Sequence, residues 1–271
     1  FDYLYDKVGL YDTLVGIIRR QQSATDITRM WQNLGELRQR MLHFMENHDE
    51  QRLASDFIAG HGRPALPAVL VSATIDTCPM MVYFGQELGE RGMDAEGFSG
   101  RDGRTTIFDY WSVDTIRRWR DGGTFSGREL NDGERDLQRQ YARLLHLARE
   151  ERAISEGDFF DLMYANPYSD RFNSHRMYAF LRKHDDELLL IVANFDEHAT
   201  EVDVHIPIHA FDYFHLPTLE GVEAVELLTG TTTTLSLTPD APVRLTVPGY
   251  SGGVWKVRQP LAAVNRTEGA G

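Results

Sequence analysis

The sequence predicts an α/β portion followed by an all-β domain, and three observations carry that reading. Short apolar runs of strand length alternate with helical patterns as far as about residue 150. After about Ser155 the hydrophobic period changes from helical to two. Hydrophobic residues make up 42% of the 271-residue chain and aromatics 11%, enough to bury a substantial core.

The elements follow in order. Phe1–Val15 is aromatic and rich in β-formers and reads as a strand entering a loop or short helix. Ser23-Ala24-Thr25-Asp26 starts a helix whose apolar face is Ile27, Met30, Trp31, Leu34 and Leu37, with Gly35 weakening its second half. Met41–Met45 is the next strand. Pro64 and Pro67 open a helix over Ala68–Ala73, and Met80–Phe84, closed by Gly85, reads as a strand buried on both faces. Strand, helix, strand, helix, strand at this spacing indicates βα units and a parallel sheet. Residues 89–133 form a long loop region with a helical turn near Asp114–Arg118. Its Arg101–Arg104 stretch, RDGR, lacks the spaced acidic ligands of a calcium loop and reads as a solvated turn. Asn131 with Glu134 nearly makes a capping box for a helix that presents Leu137, Tyr141, Leu144, Leu145 and Ala148.

Eight short β-type runs follow: Phe159–Met163, Met177–Arg182, Leu188–Asn194, Val202–Ile206, Ala224–Leu228, Thr234–Leu237, Val243–Val247 and Gly253–Val257. They predict an antiparallel sandwich or small barrel. Residues 259–271 read as a loose tail. The Asn265-Arg266-Thr267 triplet there matches a glycosylation acceptor but is too short to carry weight.

Composition excludes some functions. The formal net charge is −13, a field that repels phosphate backbones and argues against nucleic-acid partners. Cys78 is the only cysteine, so an intrachain disulfide and zinc sites built from cysteines are excluded, and it reads as a small core hydrophobe. No apolar run approaches the roughly 18 residues of a membrane span. The chain begins Phe-Asp-Tyr without a leader, as if cut from something longer.

The stretch MLHFMENHDEQR, Met41–Arg52, holds the candidate chemistry: an apolar strand that delivers a histidine and several carboxylates at its C-terminal end. A purely structural alternative is a polar turn in which Asp49 caps a short helix running through Leu53 and Phe57 to Gly60. Pattern alone does not separate the two. A metal site from Glu46, His48, Asp49 and Glu50 is disfavoured, because adjacent strand residues point to opposite faces. The remaining histidines show no common spacing.

Taken together, ENHDE after a buried strand, PMMVYFGQELGE, a capped helix and an all-β domain resemble the C-terminal half of an α-amylase-family glycoside hydrolase (family thirteen). The resemblance implies the last three strands of a (β/α)8 TIM barrel with its final helix over residues 1–153, and an antiparallel β-sandwich, domain C, over 154–258. It implies that Asp49 is the catalytic, transition-state-stabilising carboxylate and that His48 contacts substrate hydroxyls, with no metal ligand and no cofactor. The implied substrate is an α-glucan or maltooligosaccharide, the implied partner is the N-terminal remainder of the barrel, and a secreted or periplasmic location is favoured. The family's Arg-x-Asp nucleophile, its general acid and its Asp-x-x-x-Asn-His motif are missing from this chain. A retaining glycosidase needs two carboxyl groups about 5 Å apart, so the chain alone is expected to be inactive. The alternatives are a transglycosylase or α-glucosidase of the same family, with Phe108, Trp111 and Trp119 at sugar subsites, or a non-catalytic glycan- or protein-binding module using Trp255, Tyr250 and Phe214.

Overall fold

The computed structural model describes residues 2–94, 101–109 and 113–258. The first part is built on a three-stranded parallel sheet, ordered β1 (Leu4–Tyr5), β2 (Met41–Phe44), β3 (Met80–Met81). Between β1 and β2 run α1 (Asp12–Ile18) and α2 (Thr25–Leu34), and between β2 and β3 runs α3 (Leu66–Thr74). These are the expected parallel βα units, present as three strands and not as a closed barrel.

Two expectations need correction. The strand read as Met80–Phe84, buried on both faces, is only two residues long and half-buried. Among the described residues β3 pairs with β2 alone, so no further ladder extends it. Leu37 does not join the apolar face of α2. The helix ends at Gly35, where φ is +51°, and a 3-10 turn over Gly35–Arg40 leaves Leu37 exposed.

Among its described residues the loop region carries α4 (Asp114–Arg120), and α5 (Asp132–Glu150) follows. Both capping-box bonds of α5 are made: Glu134 N–H donates to Asn131 Oδ1 and Asn131 N–H to Glu134 Oε2, each at 2.9 Å. Its buried face is Leu137, Tyr141, Leu144 and Leu147.

A single turn, α6 (Arg152–Ser155), leads into the β part. There β4 (Asp158–Asp161), β5 (Met177–His184), β6 (Glu187–Asn194), β7 (Thr200–Val204), β8 (Leu219–Glu226), β9 (Thr231–Leu237), β10 (Val243–Val247) and β11 (Ser251–Arg258) occur close to the eight expected runs. They form a six-stranded antiparallel sheet, β4-β5-β6-β11-β8-β9, and a two-stranded antiparallel sheet, β10-β7. Along β10, Val243, Leu245 and Val247 are buried and alternate with exposed Arg244 and Thr246, the signature of a strand with one face in the core. One helix escaped the sequence reading: α7 (Ile208–Phe214) enters behind Pro207 and buries Ala210, Phe211 and Phe214.

The two parts share one hydrophobic core. Helix α3 is buried along its whole length and packs on β6 and β11 as well as on α5. Gly252 on β11 permits this approach, since a Cβ there would lie 2.3 Å from Leu70 Cδ2 and 2.5 Å from the Val192 carbonyl oxygen. Arg182 on β5, fully buried, adds a polar tie. Its guanidinium donates to the carbonyls of Ile75, Ala153, Ile154 and Gly157 at 2.6–2.9 Å, joining the end of α3 to α6. Burial pulls the Arg182 pKa down to about 10.

Candidate active site

The central strand β2 aims the chemistry. Phe44 stacks on Tyr11 with centroids 5.0 Å apart and meets Tyr5 edge-on at 5.3 Å, which fixes the strand's C-terminal half. Beyond it Met45 and Glu46 are buried. Glu46 turns inward: its Oε2 accepts from Arg52 Nη1 at 2.6 Å and its Oε1 from the Leu53 N–H at 2.8 Å. One carboxylate thus closes the loop 46–53 on itself. Burial raises the Glu46 pKa, and Arg52 opposes that shift without cancelling it.

Arg52 is equally sealed from solvent. Its Nε and Nη2 donate to Thr105 Oγ1 at 2.9 and 2.5 Å, and its guanidinium lies over the rings of Tyr83 and Phe84, 4.5 and 5.0 Å from their centroids. The segment 101–109 is pinned across the loop by three more bonds. The Arg52 N–H donates to the Gly103 carbonyl, Gln51 Nε2 to the Asp102 carbonyl, and Arg104 Nε to the Asp49 carbonyl, at 2.6–3.0 Å.

Within this clamp Asn47 makes a tight turn, its Oδ1 accepting from the N–H groups of Asp49 at 2.8 Å and Glu50 at 2.9 Å. The turn throws the next two side chains outward. His48 is 51% and Asp49 74% exposed, and His48 Nε2 lies 3.3 Å from Asp49 Oδ2. No helix follows Asp49; residues 50–60 are turns, bends and irregular backbone, so the helix-capping alternative does not describe this loop. Neither side chain lines the clefts beside Glu90 and Arg118, Asp26 and Arg29, Leu70 and Gly252, Asp76 and Arg182, or Glu226 and Arg244. On one flank Glu50 receives the Tyr11 hydroxyl at 3.4 Å and faces Lys7 Nζ at 3.5 Å.

The structure brings His48 and Asp49 together and separates the other candidates. The metal set of Glu46, His48, Asp49 and Glu50 does not converge, because Glu46 is committed to Arg52 while His48 and Asp49 face solvent. Trp255 and Phe214 are core residues, 4% and 7% exposed, and offer no binding platform. Phe108 is exposed, Trp119 packs edge-on against Phe125 at 5.1 Å, and Trp111 lies outside the described residues, as does the tail after Arg258. The sequence reading missed the Glu46–Arg52–Thr105 clamp. Its only local signal was an arginine six residues after a glutamate.

Residues 172–255 match the family model described as Maltogenic Amylase, C-terminal domain. No curated protein matches the sequence significantly. Among solved structures, a noncanonic maltogenic α-amylase, AmyB from Thermotoga neapolitana, is 16% identical with a TM-score of 0.63, over 96% of this chain and 51% of that one. AmyP in complex with maltose is 16% identical with a TM-score of 0.66, over 97% and 51%. The α-amylase GTA of Geobacillus thermoleovorans, complexed with acarbose, is 18% identical with a TM-score of 0.58, over 91% and 47%. The chain therefore spans about half the length of the structures it matches and shares their fold over that span. The resemblance to the C-terminal part of an α-amylase-family enzyme is borne out by these matches.

Proposed function

We propose that this chain is the C-terminal part of a retaining, α-glucan-acting glycoside hydrolase, with Asp49 as its transition-state-stabilising carboxylate and His48 as a hydroxyl-contacting residue. The observation that carries the reading is the contrast within one loop. Glu46 is spent on structure, while two residues later the chain holds an imidazole and a carboxylate outward at the end of a parallel strand. That is where such sheets keep their chemistry.

Glycosyl transfer passes through an oxocarbenium-like state, and a fixed carboxylate gains strength as positive charge develops on the sugar ring. An imidazole N–H orients hydroxyls without reacting. Nucleophile and general acid come from an N-terminal remainder that closes the barrel around β1 and β3, with residues 1–153 as the barrel's end and 154–258 as domain C. Exposed Tyr3, Leu4, Tyr5 and Val8 at the β1 edge support that closure. In the complete enzyme, Asp49→Asn should lower kcat on maltooligosaccharides by about 10²–10³-fold or more while the melting temperature holds. Unchanged turnover would remove Asp49 from the chemistry.

A further inference from the structure

Within the same sheet a second cluster, around His43 of the central strand, is unaccounted for. We propose that His43, Asp76 and Cys78 form a binding site for one borderline transition-metal dication, of which Zn²⁺ is the type, with Asp6 orienting the imidazole from behind.

The donor atoms are a ring nitrogen of His43, a carboxylate oxygen of Asp76 and the Cys78 sulfur, all within 4.8 Å of one another. A mixed nitrogen, oxygen and sulfur set of three suits a four-coordinate zinc-like ion with one position left for water. This departs from the exclusion of cysteine-based zinc ligation that a single cysteine implied: the exclusion holds for sites of several thiolates, whereas a mixed site needs only Cys78.

Its parts are held in place. His43 sits on the central strand β2, 2% exposed, with Nε2 2.9 Å from Asp76 Oδ2. The Cys78 N–H fixes the other oxygen of Asp76, donating to Oδ1 at 2.7 Å, so Oδ2 is the one turned to the histidine. Behind the ring, Nδ1 faces Asp6 Oδ2 at 3.3 Å, and neither atom has a well-formed hydrogen-bond partner. Two buried, unsatisfied polar atoms facing one another on the far side of a would-be ligand are what a carboxylate–histidine–metal arrangement accounts for. Of the three ligands Asp76 faces outward, lining a cleft of about 900 Å³ with Trp31, Arg38, Gln39, Thr77 and Arg182.

The cluster shares no residue with the loop carrying Asp49. Asp76 and Cys78 lie just before β3 begins, whereas His48 and Asp49 lie beyond the end of β2. Failure of one assignment therefore leaves the other standing.

Cobalt titration of the chelator-stripped chain tests the proposal. The expected result is one equivalent of Co²⁺ bound with a thiolate-to-cobalt charge-transfer band and tetrahedral-intensity visible bands, both displaced by Zn²⁺. Cys78→Ser should abolish the charge-transfer band. Asp6→Asn, which keeps all three ligands, should weaken affinity about 10–100-fold with an unchanged circular dichroism spectrum. Absence of the band, its survival in Cys78→Ser, or affinity unaltered in Asp6→Asn would each overturn the site and leave His43 as a buried bridge between two aspartates.

Discussion

Arg52 Nη1 and Glu46 Oε2 are 2.6 Å apart, and both side chains are almost completely removed from solvent. The pair gives the loop 46–53 its shape, and Thr105, fifty-three residues after Arg52, completes it. Breaking such a pair strands a buried charge. Arg52→Ala should therefore cost about 3–5 kcal/mol in urea unfolding. A double replacement, Glu46→Met with Arg52→Leu, should recover part of that loss, because no charge is left without a partner. A single-variant cost below about 1 kcal/mol would show the clamp to be a surface-strength contact.

Much of the architecture was legible because hydrophobic period is a strong local signal. The alternation in Val243–Val247 and the capping pair Asn131 and Glu134 specify their elements without help from distant residues. Where the reading failed, the deciding partner lay elsewhere in the chain. Met80–Phe84 reads as a buried strand, yet among the described residues β2 alone pairs with it. The seven residues of α7 are too few to display a period, and Pro207 is its main herald. In the site, His48 and Asp49 stood out as polar residues after an apolar run. Glu46 looked equivalent to them, and only Arg52 and Thr105 folding over it show its structural duty. Cys78 was expected in the core but is half-buried, with its thiol donating to the Arg38 carbonyl at 2.8 Å.

Gly252→Ala should loosen the joint between the two parts. The new methyl would meet the Val192 carbonyl oxygen at 2.5 Å as well as the mobile end of Leu70, and the backbone oxygen cannot yield cheaply. Overpacking of this kind costs about 1–3 kcal/mol. Thermal unfolding of the variant measures it, and the Leu70→Ala, Gly252→Ala double variant tells which neighbour dominates.

The Arg182 tie makes a sharper demand. Arg182→Leu would leave four carbonyl groups, on Ile75, Ala153, Ile154 and Gly157, without their donor. Each buried acceptor so abandoned costs about 1–3 kcal/mol unless water enters. The expected outcome is a loss of at least about 3 kcal/mol and faster hydrogen exchange at α6 before the rest of the β part.

One carboxylate has a distinctive titration. Asp121 accepts from Ser126, Arg128 and Thr124, and these bonds, that from Ser126 foremost, hold its pKa at about 2. A carboxylate depressed in the folded state stabilises the fold above its unfolded pKa, and that contribution is lost as pH falls through the folded one. The turn at 121–128 should thus stay intact at pH 4 and loosen toward pH 2. Carbon-detected NMR titration of the Asp121 carboxyl checks this, and Ser126→Ala should move the midpoint upward.

Asn47 separates positioning from chemistry. Its Oδ1 holds the N–H groups of Asp49 and Glu50, so Asn47→Ala removes the turn that faces His48 and Asp49 outward while leaving both side chains present. The loss of two partly buried bonds should cost about 1–2 kcal/mol of stability, well short of unfolding the clamp that Glu46 and Arg52 maintain. If Asp49 acts on the sugar cation, misaiming it by an ångström weakens an interaction made mainly in the transition state. In the complete enzyme kcat should then fall by about 10²-fold with little change in KM. Asn47→Asp, which keeps an acceptor oxygen in the same place, should restore most of the turn and most of the rate. A variant that instead raises KM at constant kcat would mean that the loop binds sugar without stabilising its charge, and the role assigned to Asp49 would pass to another residue.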